Sequence, residues 1–166
     1  MDKAVVRYPF VPKSTAFLEP GQFWGIPLKR GRYACGRVLQ LCVEDGKRAP
    51  RTFLAGLMDW TGRVPPTSEM IAGRDVLDQG QAHILTITEN GRDILGCRPL
   101  ELDGIELGLF LDESPGPRCH LRRGFDILGL ASRRQQAELE VFLTWGYAVI
   151  KELTEEHFGR HGLTKR

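Results

Sequence analysis

Short runs of alternating apolar and polar residues dominate the first half of the chain. Trp24, Ile26 and Leu28 fall on one face of an extended segment, because strand side chains alternate with a period of two. Residues 32–43 are apolar on both faces, which predicts a central strand covered on two sides. Lys29-Arg30-Gly31 supplies the turn between these two segments. The pattern therefore predicts a founding β-hairpin.

Later runs predict further antiparallel strands. Residues 51–58 follow an Asp-Gly turn and predict a third strand that completes a meander. Residues 83–88 and 94–97 flank Asn90-Gly91, the dipeptide that favours a type I′ turn, and predict a second hairpin. Strand patterns also cover residues 105–111 and 124–131.

Other segments lack such alternation. Residues 59–80 are rich in loop chemistry and predict a long irregular connection. Residues 1–19 contain prolines that restrict them to an N-terminal arm or an edge strand. Residues 139–153 fit one long amphipathic helix, but alternation and Gly146 favour a strand at 139–145 followed by a helix at 146–158.

These elements predict a single domain over residues 1–166, of the α+β class and dominated by β-structure. We expect a strongly bent antiparallel sheet with a barrel-like start and a C-terminal helix that packs across it. The length of 166 residues suits one domain, and the 19 glycines and 10 prolines favour short elements joined by turns.

Composition and charge narrow the functional classes. The formal net charge is only +2, so no global field favours nucleic acid or an anionic membrane. Neither a secretory signal nor an apolar run of membrane-spanning length is evident, so we expect a cytoplasmic protein without membrane contact. Four scattered cysteines, at positions 35, 42, 97 and 119, then predict free thiols.

Two sites that contain histidine are candidates for metal binding or catalysis. His157 and His161 are spaced to share a metal on one helix face, but Gly159 would break that helix, so a solvated helix end is favoured. Cys119 and His120 could supply two metal ligands, but they are adjacent and their side chains point apart on an extended chain, which opposes a shared metal. Hydrolase and phosphate-loop motifs are also missing from the sequence. We therefore expect no catalytic residue, no metal ligand and no cofactor.

Basic residues cluster at turns, around Lys29 to Arg32 and around Lys47 to Arg51. Small β-barrels with basic loops bind nucleic acid, so a β-barrel-like nucleic-acid-binding module is the alternative function. Consecutive turns of a meander lie at opposite ends of the sheet, however, which opposes one continuous basic patch. This alternative ranks second for that reason.

The run GQFWGIPLKRGRYACGRVL, from Gly21 to Leu39, resembles the opening motif of the immunity protein 26 family of bacterial polymorphic toxin systems. Family members begin with a Gly, an aromatic pair, Ile-Pro-Leu, a turn, then Gly-x-Tyr and Gly-Arg-Val. The resemblance covers the first third of the chain, and Ile94-Leu95-Gly96 with Pro99-Leu100 extends it. Asp93 stands where family members often carry an aromatic residue.

The resemblance implies a cytoplasmic, non-catalytic immunity protein that binds and neutralises a cognate toxin protein. Its oligomeric state is left open. Interfaces favour charged turns and exposed aromatic anchors. The candidate partner-binding residues are therefore Arg30, Arg32, Lys47 and Arg48 at the turns, with Asp59 and Trp60 at the start of the predicted long loop.

Overall fold

The computed structural model describes residues 5–159, which form two β-sheets and three α-helices. The strands are β1 (Gln22–Pro27), β2 (Tyr33–Glu44), β3 (Lys47–Gly62), β4 (Val76–His83), β5 (Ile94–Cys97), β6 (Leu109–Leu111), β7 (His120–Arg123), β8 (Asp126–Leu130) and β9 (Thr144–Trp145). The helices are α1 (Leu85–Thr88), α2 (Arg133–Glu138) and α3 (Val149–Gly159). The predicted class, α+β with β-structure dominant and a C-terminal helix, is confirmed.

The strands divide between a six-stranded and a three-stranded sheet. The larger sheet has the order β5-β1-β2-β3-β4-β9, and the smaller has the order β6-β7-β8. The larger sheet stays open, with β5 and β9 at its edges, so its described strands do not close into a barrel. Its last pair, β4 with β9, is parallel, whereas the sequence predicted antiparallel neighbours throughout.

The founding hairpin is confirmed. β1 pairs antiparallel with β2, placing Trp24 opposite Gly36 and Ile26 opposite Ala34. A Cβ atom on Gly36 would lie 2.2 Å from the Trp24 ring, so only glycine leaves room for the indole. β2 and β3 continue the predicted meander around the Asp45-Gly46 turn.

The six-stranded sheet is covered on both faces. The first core cluster includes Trp24, Ile26, Phe53 and Leu57, and a second cluster gathers Phe23, Cys35, Met58, Trp60 and Ile71. Adjacent β1 residues such as Phe23 and Trp24 enter different clusters because strand side chains alternate. This arrangement agrees with the apolar residues predicted on both faces of β2.

Helix α3 packs on the first core cluster. Ile150 is fully buried, and Val149 and Leu153 are partly buried against the cluster. The predicted helix at 146–158 is thus confirmed in type, but it begins three residues later, after Gly146. No helix within residues 5–159 has the length and apolar character needed to cross a membrane.

The predicted loop over residues 59–80 is wrong at both ends. β3 continues to Gly62, and β4 begins at Val76 and pairs with β3 along its length. The apolar pattern fails here because β4 carries polar residues such as Asp78, Gln79 and Gln81 at half-buried positions. Backbone pairing with β3 holds β4 in place where its side chains give little hydrophobic signal.

The predicted hairpin around Asn90-Gly91 is also wrong. Residues 85–88 form α1, and only residues 94–97 form a strand, which pairs with β1. Ile84 and Ile87 both enter the first core cluster, and side chains three positions apart share a face only on a helical turn. The Asn90 side chain donates to the carbonyl oxygens of Thr86 and Tyr147, which fixes the end of the helix.

Two later predictions need similar correction. The strand predicted at 105–111 is reduced to β6, while the strand at 124–131 is confirmed as β8. The strand predicted at 139–145 is reduced to β9 and one bridge between Val141 and Leu111. Helix α2 was not predicted, although Ser132 and Gln135 form a capping box, a recognisable helix start.

The N-terminal arm contacts the sheet at its β5 edge. Phe10 and Ile94 exchange backbone hydrogen bonds of 3.1 and 2.8 Å. Among the described residues before β1, Phe10 thus joins the sheet through one isolated bridge and not through a strand, and Thr15–Phe17 form a turn of 3₁₀ helix.

Candidate functional site

A groove of about 300 Å³ opens where the β1–β2 turn faces helix α3. Its walls include Leu28, Lys29 and Arg32 from the turn, Thr61 from β3, and Glu155 and Phe158 from α3. Residues of the run from Gly21 to Leu39 thus form one side of the groove. We treat this groove as the candidate functional site.

The turn is fixed by its backbone. Leu28 N–H donates to the Arg32 carbonyl oxygen at 2.7 Å, which closes the loop between β1 and β2. Arg30 has φ +61° and Gly31 has φ +67°, so two successive residues adopt the left-handed conformation. Glycine adopts this conformation freely, but arginine does so at a steric cost. The turn therefore presents the Arg30 side chain from a conformation that an arginine seldom adopts.

The Arg32 side chain is oriented by a neutral partner. Its Nη2 donates to Thr61 Oγ1 at 2.6 Å, across the pairing of β2 with β3. Because the hydroxyl carries no charge, this bond positions the guanidinium without neutralising it. Within residues 5–159, no carboxylate forms an ion pair with Lys29, Arg30 or Arg32. The turn is therefore a local concentration of positive charge.

Helix α3 forms the other wall, and its fully buried Ile150 anchors it in the first core cluster. Thr154, which also lines the groove, is buried, and its hydroxyl donates to the Ile150 carbonyl oxygen within the helix at 2.6 Å. His157 Nε2 lies 2.5 Å from Asp78 Oδ2, which ties the helix to β4. These contacts leave exposed Glu155 and half-buried Phe158 along the groove.

Four of the six predicted partner-binding residues lie at this end of the sheet. Arg30 and Arg32 are exposed in the turn, and Asp59 is exposed on β3. Trp60 is only 7% exposed, because its ring packs in the second core cluster and over Gly62. Its indole is therefore a core group that supports the site from behind, and it presents little surface to a partner.

Lys47 and Arg48 lie at the opposite end of the sheet. Lys47 pairs with Glu44 at one end of β2, whereas Gly62 pairs with Tyr33 at the end next to the groove. The two ends are separated by the length of β2, about 36 Å along the strand. Arg48 Nη1 also donates to the carbonyl oxygens of Thr15 and Ala16, so it fastens the N-terminal segment. The six residues consequently do not form one surface.

A buried ion cluster lies beside β2 and was missed by sequence reasoning. Arg37 is fully buried, and its Nη1 donates to Asp103 Oδ2 at 2.9 Å. Arg98 Nε and the Gly73 N–H also donate to the Asp103 carboxylate. Burial acts to raise the pKa of Asp103, but these hydrogen bonds and the positive charge of Arg37 outweigh it and lower the pKa. The carboxylate therefore remains ionised and saturated by its partners.

An acid-lined cavity of about 440 Å³ adjoins that cluster, with Asp75, Asp103 and Glu106 among its walls. Both oxygens of Asp103 already accept hydrogen bonds from the arginines and from Gly73. No group of three or more His, Cys, Asp or Glu side chains within residues 5–159 is arranged to hold a metal ion. The cavity thus offers no vacant ligand set.

The cysteines are free, as predicted. Cys35 is fully buried, and burial raises the pKa of its thiol well above the ordinary range. His120 Nδ1 lies 3.4 Å from Asp112 Oδ2, while Cys119 Sγ donates to the Glu113 carbonyl oxygen. The second member of the predicted histidine pair, His161, lies outside the described residues.

No family model, no curated protein and no solved structure matches this chain.

Proposed function

We propose that this chain is a cytoplasmic, non-catalytic immunity protein that binds and neutralises a cognate bacterial toxin domain. The proposal rests on the resemblance of residues 21–39 to the immunity protein 26 motif. The observation that supports it best is the position of that motif. Its residues form a hairpin of two interior strands of the larger sheet, and its turn forms the cationic wall of the groove.

The physical requirements of such a function match this arrangement. Inhibition by occlusion needs a rigid surface that is complementary to the toxin, and it needs no reacting group. Strand pairing on both sides holds β1 and β2, and their turn is anchored by the Leu28–Arg32 backbone bond. An arginine-rich turn on a rigid scaffold is suited to fast, specific protein association.

The geometry gives less support to the alternative function, nucleic-acid binding. The two basic turns lie at opposite ends of β2, and Glu155 stands in the groove beside the first of them. A nucleic-acid backbone would need a continuous track of positive charge. The protein-binding function is therefore preferred.

Co-expression tests the proposal. If the gene directly upstream encodes a large secreted protein, its C-terminal domain is expressed in a bacterial host, alone and with this chain. We expect the domain to arrest growth, and we expect this chain to restore growth and to co-purify with the domain. Growth arrest that persists with soluble, folded chain present, and without co-purification, would refute the immunity function.

A further inference from the structure

We propose that the groove between the β1–β2 turn and helix α3 receives an acidic segment of the partner protein. A carboxylate of that segment lies against Lys29 and Arg32, and a neighbouring apolar side chain lies against Leu28 and Phe158. The inference rests on the proposed function, because it names the surface and the chemistry through which the partner is held.

The first argument is charge. Lys29, Arg30 and Arg32 are exposed within four successive positions, and no carboxylate of residues 5–159 forms an ion pair with them. Arg32 uses part of its guanidinium to reach Thr61, which fixes its direction. A guanidinium has five N–H donors, so the remaining donors are available to a carboxylate. The turn is thus preorganised for an anionic group.

The second argument is the apolar surface between the charges. Leu28 and Phe158 are half-buried and belong to the two walls of the groove, the turn and the helix. A ligand consisting only of charged groups would leave this surface in water. The volume of about 300 Å³ is at the small end of ligand sites and suits one or two side chains. An acidic residue next to an apolar one fits both features.

The third argument is the opposite charge of the two walls of the groove. The turn wall carries the cations, whereas the helix wall carries the exposed Glu155. A carboxylate is therefore attracted to one wall and repelled by the other, so a segment with a single acidic position binds in one direction. A polyanion such as a nucleic acid would be repelled by Glu155 and would therefore bind more weakly than a segment with one carboxylate.

The fourth argument is the conformation of Arg30. Its φ of +61° is unfavourable for a side chain with a Cβ atom, and Gly31 beside it shares that conformation. Strained residues cluster at binding sites, where the surrounding structure holds them in place. Here the strained residue is an exposed third cation, next to Lys29 and close in sequence to Arg32, both of which line the groove.

A direct test uses a defined peptide. A fluorescein-labelled peptide that carries a single glutamate beside a phenylalanine and a leucine is titrated into ¹⁵N-labelled full-length protein and followed by fluorescence anisotropy and by amide chemical shifts. We expect saturable, salt-sensitive binding, with shifts at Leu28 to Arg32 and at Phe158. The same peptide with glutamine in place of glutamate should bind about ten-fold more weakly or worse.

Matched variants locate the binding. The double variant Lys29→Glu/Arg32→Glu should weaken the glutamate peptide about ten-fold or more. Lys47→Glu/Arg51→Glu makes the same charge change at the other end of the sheet and should leave binding within about two-fold. All four residues are exposed, so both variants should fold, which circular dichroism checks.

Several results would overturn the inference. They are no saturable binding to the wild-type protein, equal loss in both double variants, shifts confined to other surfaces, or tighter binding of a single-stranded oligonucleotide at the same residues. The co-expression assay separates this failure from failure of the function. If wild-type chain restores growth and Lys29→Glu/Arg32→Glu restores it equally well, the immunity function stands and the groove is not its binding site.

Discussion

The two sheets of this protein contain similar apolar strands but bury them very differently. In the six-stranded sheet, Trp24, Ile26 and Leu57 are fully buried. In the three-stranded sheet, every residue of β8 is exposed, and Ile127 and Leu128 remain more than half accessible. The difference arises because the larger sheet is covered on both faces, whereas β8 is an edge strand. An alternating or apolar pattern therefore predicts a strand, and it does not predict that the strand is covered.

The small sheet still has a core on its inner side. Leu111, Cys119 and Ala131 form a third cluster, with Leu121, Leu139 and Val141 packed against it. On the other side, the Arg122 guanidinium lies 4.1 Å from the centre of the Phe142 ring, and Phe142 packs against Phe110 and Phe125. These partly exposed contacts are fewer and smaller than those in the larger sheet. We therefore expect stability to be concentrated in the six-stranded sheet.

The largest expected effect is from Trp24→Ala in the first core cluster. Removing a fully buried indole costs both its transfer free energy and a cavity, so the free energy of unfolding should fall by about 3–5 kcal/mol. Urea unfolding followed by circular dichroism measures this change. Leu128→Ala in β8 is the matched control and should change the free energy by less than about 0.5 kcal/mol. Equal losses in the two variants would contradict the comparison.

The next effect concerns the buried ion cluster. Asp103→Ala leaves Arg37 charged, fully buried and without its carboxylate, so we expect a loss of about 3 kcal/mol from the free energy of unfolding. Arg134→Ala, which removes an exposed ion pair with Glu138, should cost less than about 0.5 kcal/mol. If Asp103→Ala unfolds at the wild-type urea concentration, the cluster does not stabilise the sheet.

The same carboxyl makes stability depend on pH. The pKa of Asp103 is lower in the folded protein than its unfolded value of about 3.9. Its contribution is therefore fully present above that value and is lost as the pH falls through the folded pKa. The difference between wild type and Asp103→Ala in urea unfolding should shrink below about pH 4. A difference that stays constant down to acid pH would show that the proton does not act at Asp103.

A smaller effect should come from Gly36→Ala. The added Cβ would lie 2.2 Å from the Trp24 ring, so the indole must shift, and overpacking of this kind costs about 1–3 kcal/mol. Gly46→Ala would not serve as the control, because Gly46 has φ +74° and alanine there would be strained by its backbone and not by packing. Ala137→Gly in the exposed helix α2 gives a better reference, at about 1 kcal/mol. Wild-type stability of Gly36→Ala in urea would mean that the indole has free space around it.

The founding hairpin could be predicted because its signals are local. Alternation places Trp24 and Ile26 on one face, and Gly31 allows the turn, so neighbouring residues determine the structure. Helix α1 could not be predicted in this way. Residues 85–88 favour strand locally, and burial of both Ile84 and Ile87 in the core overrides that preference.

The candidate site likewise combines residues with a local sequence signal and residues that only the packing brings together. Arg30 and Arg32 are candidates from the sequence alone, because both belong to a cluster of basic residues at a turn. The opposite wall could not be predicted, because Phe158 meets the turn only through the packing of α3 on the sheet. Arg37 also gave no local signal, since its partner Asp103 lies 66 positions later in the chain.

The smallest expected effect tests β8 directly. Ile127 and Leu130 are 54% and 67% exposed, so changing each of them to lysine removes little buried area. Lysine is also well tolerated on edge strands, where its charge opposes pairing with other chains. We expect Ile127→Lys and Leu130→Lys each to change the free energy of unfolding by less than about 0.5 kcal/mol. Ile26→Lys is the matched control in β1, and it should prevent folding because an unpaired charge would replace a fully buried side chain. A large loss of stability from either β8 substitution would show that this strand is covered in solution, and the two sheets would then differ less than their exposure indicates.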